Sequence, residues 1–411
     1  METYFRPTCA EISLDALQRN MQAFRDALPA ATRLSVCVKA NAYGHGAVEM
    51  ARAAERFGVD YLNVAFLEEA IQLRRAGVRT PILILGYTPP EGFSAAYQYD
   101  ITLNIFSEEC IRALEAEAPS LSAQHGGRIL KLHVKIDSGM GRLGIRTPEE
   151  AVSCIERLNA VQGVEVEGIF THFACADEAD KAYSELQRTR FQAVIEALAA
   201  ERITVPVVHA SNSAAAIDMP DWSYDMVRVG VSIYGLYPSI EVNRTRIELE
   251  PVLTLKTKVV HTKTVPPGEG ISYGVQYCTT SDERIATMPI GYADGYSRLL
   301  SGKVSMLIRG QRVPVIGRIC MDQCMVSLRP LGAAAVEIEA GEEAVLIGSQ
   351  GEERITAEEI AAHLGTINYE VVCMIAHRVP RLYMVQGKPV QVVNPLLAGE
   401  RVQDLTENNG K

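Results

Sequence analysis

Short apolar runs of strand length alternate with amphipathic stretches of helical period from about residue 30 to about residue 235. This alternation predicts buried parallel strands connected by helices, because a connection between parallel strands is long enough to hold a helix. The predicted strands cover 34–38, 61–64, 82–85, 101–103, 130–136, 164–170, 205–209 and 226–229, and the predicted helices include 47–57, 67–76, 108–118 and 181–200.

One further helix start is marked by its own sequence. Thr147 is followed at once by Pro148 and, three positions after the threonine, by Glu150. A threonine can accept a hydrogen bond from the third helical residue while a glutamate there accepts one in return, and proline fits the first position of a helix. The pattern therefore predicts a helix that begins after Thr147.

Eight strand-like runs in roughly 200 residues are typical of a closed (β/α)8 barrel. We therefore predict an α/β fold with an N-terminal TIM-type barrel. An open, doubly wound sheet is the alternative, and the spacing of the runs does not exclude it.

The pattern changes after about residue 250, where strand-like runs are joined by short turns. A single helix is predicted among them, because Thr356 is followed three positions later by Glu359. These features predict a mainly β domain over residues 248–395, after a barrel domain over 12–247. The N-terminal strand 1–11 is a candidate member of the β domain, and 396–411 form a polar tail. The predicted β-domain strands are 254–264, 284–289, 303–308, 313–319 and 344–347.

Composition narrows the possible partners. The chain has 40 Lys and Arg against 50 Asp and Glu, a net charge of −10, which argues against nucleic acid or an anionic membrane as a partner. Without a signal-peptide pattern or a membrane-length apolar run, we expect a cytoplasmic protein. The nine cysteines form no C-x-x-C pair, and Cys320 and Cys324 have no nearby His, so we expect reduced thiols and no metal site.

Lys39 is the first candidate for chemistry, since it ends an apolar strand and catalytic groups of β/α barrels lie at the carboxyl ends of strands. Partial desolvation there favours the neutral amine that Schiff-base formation requires. A lysine that extends its charge into solvent is the alternative, and burial alone favours it.

The run from Val38 to Gly46, Val-Lys-Ala-Asn-Ala-Tyr-Gly-His-Gly, resembles the cofactor-lysine motif of the alanine racemases. The resemblance extends from about residue 5 to about residue 385. It implies a barrel with a β domain, and pyridoxal 5′-phosphate (PLP) held by Lys39 as a Schiff base. The implied activity is interconversion of L-alanine and D-alanine by two-base proton transfer, which supplies D-alanine for peptidoglycan.

A glycine-rich segment, Lys135 to Gly144, follows a predicted strand and would let the backbone approach a ligand closely. A plain surface loop is the equally good alternative from the residues alone. The resemblance implies that Arg142 contacts the cofactor and orients the substrate carboxylate. It also implies that Lys135 is carbamylated, which requires a neutral amine and a lowered pKa.

Further barrel residues lie at strand ends, and each has an ordinary alternative such as a structural histidine or a helix cap. Arg228 interrupts an apolar strand, so it either faces outward or has a defined acceptor. The resemblance implies that Arg228 faces the pyridine nitrogen of PLP with His209 as its neighbour, and that His172 stacks on the ring. The hydroxyl of Ser213 at a predicted helix start suits the cofactor phosphate, and the resemblance adds Tyr43 and the backbone of Gly230 and Val231. Asn212 is a further predicted cofactor-binding residue.

The β domain contributes Tyr273, Tyr292, Met321 and Tyr369, each of which also fits ordinary β-domain packing. The resemblance implies that Tyr273 is the second catalytic base. The ordinary tyrosine pKa of ~10 is too high for a base at neutral pH, and we expect a cationic neighbourhood of His172 and Arg228 to lower it. Met321 and Tyr292 would contact the substrate, and Tyr369 both substrate and cofactor, around a narrow entrance. Because Tyr273 acts on the other subunit's cofactor in this family, the resemblance also implies a head-to-tail homodimer.

Three other functions remain open. Racemases for serine or lysine share most of these motifs, and a PLP-dependent decarboxylase has the same two-domain plan. A non-enzymatic PLP-binding barrel protein would lack the β domain. The Tyr273 segment and the Lys135 to Arg142 segment favour a racemase over the last two.

Overall fold

The computed structural model describes residues 4–397. These residues form two compact units: a barrel unit, Ala16–Glu250, and a β unit built from the described residues on either side of it. The domain limits predicted from the sequence, 12–247 and 248–395, are not tested by this division into compact units and stay a prediction. Residues 1–3 of the predicted N-terminal strand and 398–411 of the predicted tail lie outside the described range.

The first strand of the chain, β1 (Cys9–Ser13), belongs to the β unit, so the barrel unit begins with β2. Within the described residues the barrel unit has eight strands: β2 (Arg33–Cys37), β3 (Tyr61–Val64), β4 (Ile82–Ile84), β5 (Leu103–Ile105), β6 (Leu130–Lys135), β7 (Val164–Phe170), β8 (Val207–His209) and β9 (Met226–Val229).

These strands close into a ring. Two parallel four-stranded sheets, β4-β3-β2-β9 and β5-β6-β7-β8, are joined on one side by a parallel bridge between Leu83 and Thr102. On the other side Arg228 N donates to the carbonyl oxygen of Ser211 at 2.9 Å. The closed (β/α)8 prediction is therefore confirmed, and the open sheet is excluded.

Helices α1 (Leu14–Ala27), α2 (Ala47–Phe57), α3 (Leu67–Arg75), α4 (Phe93–Tyr99), α5 (Glu108–Gln124), α6 (Pro148–Asn159), α7 (Ala182–Ala200) and α8 (Ser213–Asp218) alternate with the strands. The predicted cap is confirmed: Thr147 accepts from Glu150 N at 3.2 Å, and the Glu150 carboxylate accepts from Thr147 N at 3.2 Å.

Two predicted boundaries in the barrel are wrong. The strand predicted at 101–103 lies at Leu103–Ile105, because Ile101 N donates to the carbonyl of Ala96 and so completes the end of α4. Helix α5 continues past its predicted end at 118, through Pro119. Proline removes one hydrogen bond inside the helix. The helix nevertheless continues for another turn, in which Ser122 is buried.

The remaining elements belong to the β unit and are β10 (Leu253–Lys258), β11 (His261–Val265), β12 (Gly270–Ile271), β13 (Tyr277–Cys278), β14 (Glu283–Met288), β15 (Ser305–Ile308), β16 (Gln311–Ile316), β17 (Cys324–Ser327), β18 (Glu343–Gln350), β19 (Glu353–Ile355), α9 (Ala357–Leu364), α10 (Asn368–Cys373), β20 (Arg381–Val385) and β21 (Lys388–Val393). The unit contains a long sheet in the order β11-β14-β17-β16-β15-β18-β10-β1-β20-β21. The pairs along this order are antiparallel apart from β1 with β20.

The single strand predicted over 254–264 is wrong, because the structure has two strands there with different partners. Strand β10 pairs with β1 and β18, whereas β11 pairs with β14. Between them Val259 N donates to Glu342 O and Val260 N donates to Thr287 O, so the chain changes partners at this point. The helix predicted after Thr356 is confirmed as α9, with the threonine accepting from Glu359 N at 3.1 Å.

Among the described residues, no helix combines the length and the apolar character that crossing a bilayer would need. Over the same range, no group of three or more His, Cys, Asp or Glu side chains could hold a metal ion. All nine cysteines are described and none forms a disulfide.

Asn20 ties α1 to the end of the barrel unit, and its removal gives the first prediction. Its buried amide donates to the carbonyl oxygens of Ile233 at 3.0 Å and Glu250 at 2.8 Å, and accepts from Glu250 N at 2.8 Å. Asn20→Leu leaves these buried groups unpaired and should destabilise the fold by about 2–4 kcal/mol, measured by urea unfolding.

Gln22→Leu is the matched control, since Gln22 is exposed on the same helix and its side chain donates to the exposed Asp26 at 2.7 Å. It should change the free energy of unfolding by less than about 0.5 kcal/mol. Equal losses in the two variants would contradict the role given to Asn20.

Candidate active site

Lys39 begins a single helical turn that is left-handed. Ala40, Asn41, Ala42 and Tyr43 have φ of 52°, 53°, 53° and 52°. Residues with a Cβ rarely adopt such values, because the Cβ crowds the following carbonyl oxygen at about 1–2 kcal/mol per residue. The turn follows β2 directly, so Lys39 lies half-buried at the carboxyl end of a barrel strand.

Three side chains hold this turn in place. The Glu69 carboxylate accepts from Ala40 N at 2.7 Å. Asn41 Oδ1 accepts from Ala47 N at 2.9 Å, at the start of α2. The buried His45 donates through Nδ1 to two carbonyl oxygens of the turn, at 2.9 and 3.0 Å. The polar residues of the motif therefore act partly to stabilise a strained backbone beside Lys39.

Arg228 lies in β9 and is 3% exposed. Its guanidinium donates to His209 Nδ1 at 2.7 Å and to the carbonyl oxygens of Thr171 at 2.8 Å and Ala210 at 2.9 Å. Within residues 4–397 no carboxylate pairs with it, and its Nε has no acceptor. Burial lowers the pKa of Arg228 to about 10, so the group stays cationic at neutral pH and keeps N–H groups available to a ligand.

Phe170 packs against three ionisable side chains of the site. Its ring stacks on His209 at 4.8 Å, with the guanidinium of Arg228 5.2 Å and Lys135 Nζ 4.5 Å from its centroid. Lys135 is buried, and its Nζ has no hydrogen-bond partner among the described residues. Burial, followed by the charges of Arg228 and Arg142, holds the pKa of Lys135 well below its usual range, which favours the neutral amine.

His172 follows β7 and is half-buried. Its Nδ1 lies 3.3 Å from a guanidinium nitrogen of Arg228 and must accept, because arginine only donates. Burial, followed by the charge of Arg228, holds the pKa of His172 well below its usual range. The imidazole of His172 is therefore neutral at neutral pH, and the positive charge beside it belongs to Arg228.

Hydroxyl and backbone N–H groups form a small polar cradle near the end of β9. Gly230 N donates to Ser213 Oγ at 2.8 Å. A Cβ on Gly230 would lie 2.7 Å from the hydroxyl oxygen of Tyr43, so a side chain at this position would not fit. Asn212 accepts from Ala215 N at 3.0 Å and caps α8, and the buried Val231 follows Gly230.

Arg142 lies exposed on the loop after β6. The Asp137 carboxylate braces this loop by accepting from Gly139 N at 3.1 Å and Gly141 N at 2.9 Å. In the part of the chain that the structure describes, the guanidinium of Arg142 forms no hydrogen bond. Its role toward a cofactor and toward Lys135 therefore stays a prediction.

Tyr273 belongs to the β unit and is 71% exposed. It lies on a short turn in which Ser272 has φ of 67° and Val275 has φ of 44°, both in the left-handed region. Ser272 Oγ donates to the carbonyl of Arg318 at 2.7 Å, which anchors the start of the turn. The strained backbone presents the phenol to solvent.

Asp294 anchors the loop that carries Tyr292, and main-chain hydrogen bonds join this loop to the one that carries Met321. Its fully buried carboxylate accepts from Arg6 at 2.6 Å, from Arg378 at 2.7 Å and from Gly291 N at 2.9 Å. Tyr292 N donates to Cys320 O at 3.0 Å, and Ala293 N donates to Met321 O at 3.1 Å. Burial alone would raise the pKa of Asp294, but these donors lower it overall.

The structure thus places the predicted residues in two groups, one in each unit. In the barrel unit, Lys39, Lys135, His172, His209 and Arg228 lie at the ends of strands, with the phosphate candidates beside them. In the β unit, Tyr273, Tyr292 and Met321 lie on neighbouring loops. Tyr369 is half-buried on α10, and Met374 just after that helix approaches Gly295.

Four residues with defined hydrogen-bond partners at these sites were not predicted. Glu69 and Asp294 are described above, and His133 lies 2.8 Å from His209 Nε2 and 3.2 Å from the carboxylate of Glu167. His133 and Glu167 are polar residues within strands β6 and β7, at Leu-His-Val and Val-Glu-Gly, and both are buried. A buried polar side chain needs a partner, so their positions were a usable signal.

Comparison with known proteins gives consistent matches along the chain. The family model described as "Alanine racemase, N-terminal domain" matches residues 12–238, and "Alanine racemase, C-terminal domain" matches 252–383. An alanine racemase of Desulfovibrio desulfuricans is 48% identical over 93% of this chain and all of its own.

Solved structures agree with these matches. Alanine racemase from Clostridium difficile 630 has a TM-score of 0.89 at 45% identity, covering 96% of this chain and 100% of that one. The alanine racemase from Bacillus anthracis with bound L-Ala-P has a TM-score of 0.89 at 41% identity, covering 96% and 99%.

The left-handed turn leads to a prediction about backbone strain. Ala42 and Ala51 are both fully buried, but Ala42 has φ of 53° while Ala51 lies inside the right-handed helix α2. Substitution by glycine removes a methyl group at either position and raises the conformational entropy of the unfolded chain. Glycine at 42 also relieves strain, so Ala42→Gly should be about 1–2 kcal/mol less destabilising than Ala51→Gly.

Urea titration of the two variants beside the wild type measures this difference. Ala42→Val should be the most destabilising of the three, because a β-branched side chain tolerates the left-handed region least. If Ala42→Gly and Ala51→Gly lose equal stability, the turn is not strained as described.

Proposed function

The chain belongs to the alanine racemase family, and from that premise we propose that it interconverts L-alanine and D-alanine with PLP held at Lys39. The observation that carries the proposal is the arrangement at the ends of the barrel strands. A lysine amine, a buried guanidinium without a carboxylate partner and a cradle of hydroxyl and N–H groups occur in the same unit.

The described residues fit this cofactor. Lys39 offers a half-buried primary amine for the Schiff base. The cradle of Tyr43, Ser213 and Gly230 suits a phosphate, because it offers donors and leaves no space for a Cβ at residue 230. Arg228 retains an N–H without an acceptor, which would face the ring nitrogen.

The chemistry follows from the charge of these groups. PLP, when bound, supplies the electron sink that acidifies the α-proton of alanine. Arg228 can donate a hydrogen bond to the ring nitrogen but cannot give up its proton to it at neutral pH, so the nitrogen stays unprotonated. A weaker sink keeps the negative charge near the α-carbon, which favours reprotonation there over transamination.

Racemisation needs one base on each face of the reacting carbon. We assign Lys39 to one face and Tyr273 to the other, each removing the proton in one direction and returning it in the other. The exposed Tyr273 supports a role toward a second copy of the chain, and we propose a head-to-tail homodimer in which it reaches the other subunit's site.

We assign substrate contacts to Arg142, Met321, Tyr292 and Tyr369, with Tyr369 also near the cofactor. Two tyrosines around a narrow entrance favour a methyl side chain over a larger one. Serine or lysine racemisation is the second candidate function. We further propose a cytoplasmic role in supplying D-alanine for peptidoglycan, and the nine unpaired cysteines support a reducing compartment.

The direct test is to incubate the purified, PLP-loaded protein with L-alanine, L-serine or L-lysine and to quantify both enantiomers and carbon dioxide. We expect D-alanine as the main product and no carbon dioxide. Carbon dioxide would identify a decarboxylase, and a coloured protein without any product would identify a binding protein. Faster turnover of serine or lysine would assign the broader racemase.

Tyr273→Phe tests the two-base assignment, because it removes the phenolic proton carrier and keeps the ring. The turnover rate should fall about 10²–10⁴-fold while absorbance of the bound cofactor is unchanged. Tyr277→Phe is a matched control, since Tyr277 lies four residues away and bonds to Glu283 at 2.8 Å. A fully active Tyr273→Phe enzyme would refute the scheme.

Lys135 is proposed to be carbamylated, its neutral amine adding carbon dioxide and losing a proton to give an anion. Intact protein in ¹³C-bicarbonate should show a carbamate signal by carbon NMR that Lys135→Ala lacks. Lys131→Met should keep the signal, because a hydrogen bond with Glu167 raises the pKa of Lys131 and keeps that amine charged. A wild-type spectrum without a carbamate signal would refute the carbamylation of Lys135.

A further inference from the structure

A chain of hydrogen-bonded side chains leads away from Arg228 through the barrel unit. Arg228 donates to His209 Nδ1 at 2.7 Å, and His209 Nε2 lies 2.8 Å from His133 Nδ1. His133 Nε2 lies 3.2 Å from the carboxylate of Glu167. We call these four residues the relay. Both imidazoles are fully buried, in a barrel interior that branched apolar side chains usually fill.

Every hydrogen bond in the relay runs from donor to acceptor in the same direction, from Arg228 towards Glu167. The groups at the two ends of the relay determine this direction. Arginine only donates, so His209 Nδ1 accepts and its proton is on Nε2, which donates to His133. His133 then carries its own proton on Nε2 and donates to Glu167, and an ionised carboxylate only accepts. The reverse order would place two donors face to face at Arg228 and two acceptors face to face at Glu167.

The same geometry keeps both imidazoles neutral. A second proton on His133 would point an N–H at the N–H of His209, and a second proton on His209 would point one at Arg228. Burial lowers the pKa of both histidines, followed for His209 by the charge of Arg228. The relay therefore carries no net charge between its two ends.

Glu167 is held ionised at the far end. Its carboxylate accepts from Lys131 at 2.5 Å and from the hydroxyl of Tyr61, in addition to His133. Burial alone would raise the pKa of Glu167, whereas these donors bring it down to about 2. At neutral pH a fixed negative charge thus faces the positive charge of Arg228 across two aligned imidazoles.

The backbone is shaped to admit His133. A Cβ on Gly168 would lie 2.6 Å from two atoms of the His133 ring. The register between β6 and β7 also shifts between Leu132 and His133, so that His133 lies opposite Gly168. A glycine and a strand irregularity at the same place indicate that this imidazole has a defined position.

We propose that Glu167 is a positioning residue for Arg228, acting through His133 and His209. Its carboxylate, which also pairs with Lys131, places a negative charge at the far end of the relay from Arg228, and it fixes the direction of every hydrogen bond in the relay. Charge-assisted bonds strengthen their neighbours in a chain, so the guanidinium is held firmly where it would face the cofactor. This inference rests on the role proposed above for Arg228.

Glu167→Gln tests the proposal with a side chain of nearly the same shape. The neutral amide weakens the last acceptor and can present a donor to His133, so Arg228 is held less firmly. The turnover rate for alanine should fall about 10- to 100-fold, while the KM for alanine stays within about twofold, because Glu167 contacts no substrate group.

Glu165→Gln is the matched control, since Glu165 is exposed two positions earlier on β7 and its loss changes the net charge equally. It should leave the turnover rate within about twofold of wild type. Gly168→Ala should reproduce the effect of Glu167→Gln, because it displaces His133 and keeps every member of the relay. An unchanged turnover rate in Glu167→Gln, or an equal loss in Glu165→Gln, would overturn the proposal.

A measurement on the full wild-type chain needs no variant and no turnover. With ¹⁵N-labelled histidine, NMR at pH 7–8 should show His133 and His209 as neutral imidazoles protonated on Nε2. In Glu167→Gln the ¹⁵N shifts of both rings should change, and in Glu165→Gln they should not. A charged imidazole, or a proton on Nδ1 of either ring in the wild type, would refute the relay.

The two proposals fail in different ways. If Arg228→Lys keeps full racemase activity, the role of Arg228 toward the cofactor is wrong, whatever the histidine spectra show. If Arg228→Lys lowers turnover but Glu167→Gln does not, the proposed function stands and the positioning role of Glu167 is wrong.

Discussion

A buried cation without a carboxylate beside it constrains this barrel more than any other feature. Arg228 loses the hydration of its charge on burial, and neutral acceptors must replace it. The carbonyl oxygens of Thr171 and Ala210 and the imidazole of His209 do so, which fixes the ends of β7 and β8 around the guanidinium. The backbone of Arg228 also closes the strand ring through Ser211, so one residue links ring closure to the chemistry of the site.

The barrel could be predicted from the sequence because its strands and helices are specified by residues that lie close together in the chain. Each strand is a short apolar run, each helix has its own period, and the cap at Thr147 depends on residues three apart. Features set by distant partners could not be predicted. The break in the 254–264 run exists because β10 and β11 pair with strands that come roughly 20 to 90 residues later, and no local pattern shows that.

In the candidate site, too, some features depend on local sequence and others depend on residues far apart in the chain. The motif around Lys39 was recognisable as a string of residues, but nothing in Ala-Asn-Ala-Tyr predicts four consecutive left-handed residues. That conformation depends on Glu69, 30 positions after Lys39 along the chain, and on His45. Likewise, the polar residues in β6 and β7 could be noticed singly, but only the fold shows that His133 reaches both His209 and Glu167.

The position of β1 has a consequence for synthesis on the ribosome. This strand lies inside the sheet, antiparallel to β10 and parallel to β20, yet it is translated before the whole barrel unit and both partners come after that unit. While the barrel folds, Cys9–Ser13 has no partner strand on either edge. An unpaired strand edge can form hydrogen bonds with another chain and so lead to aggregation. A pause in translation before β20 would prolong that exposure, and completion of the sheet would end it.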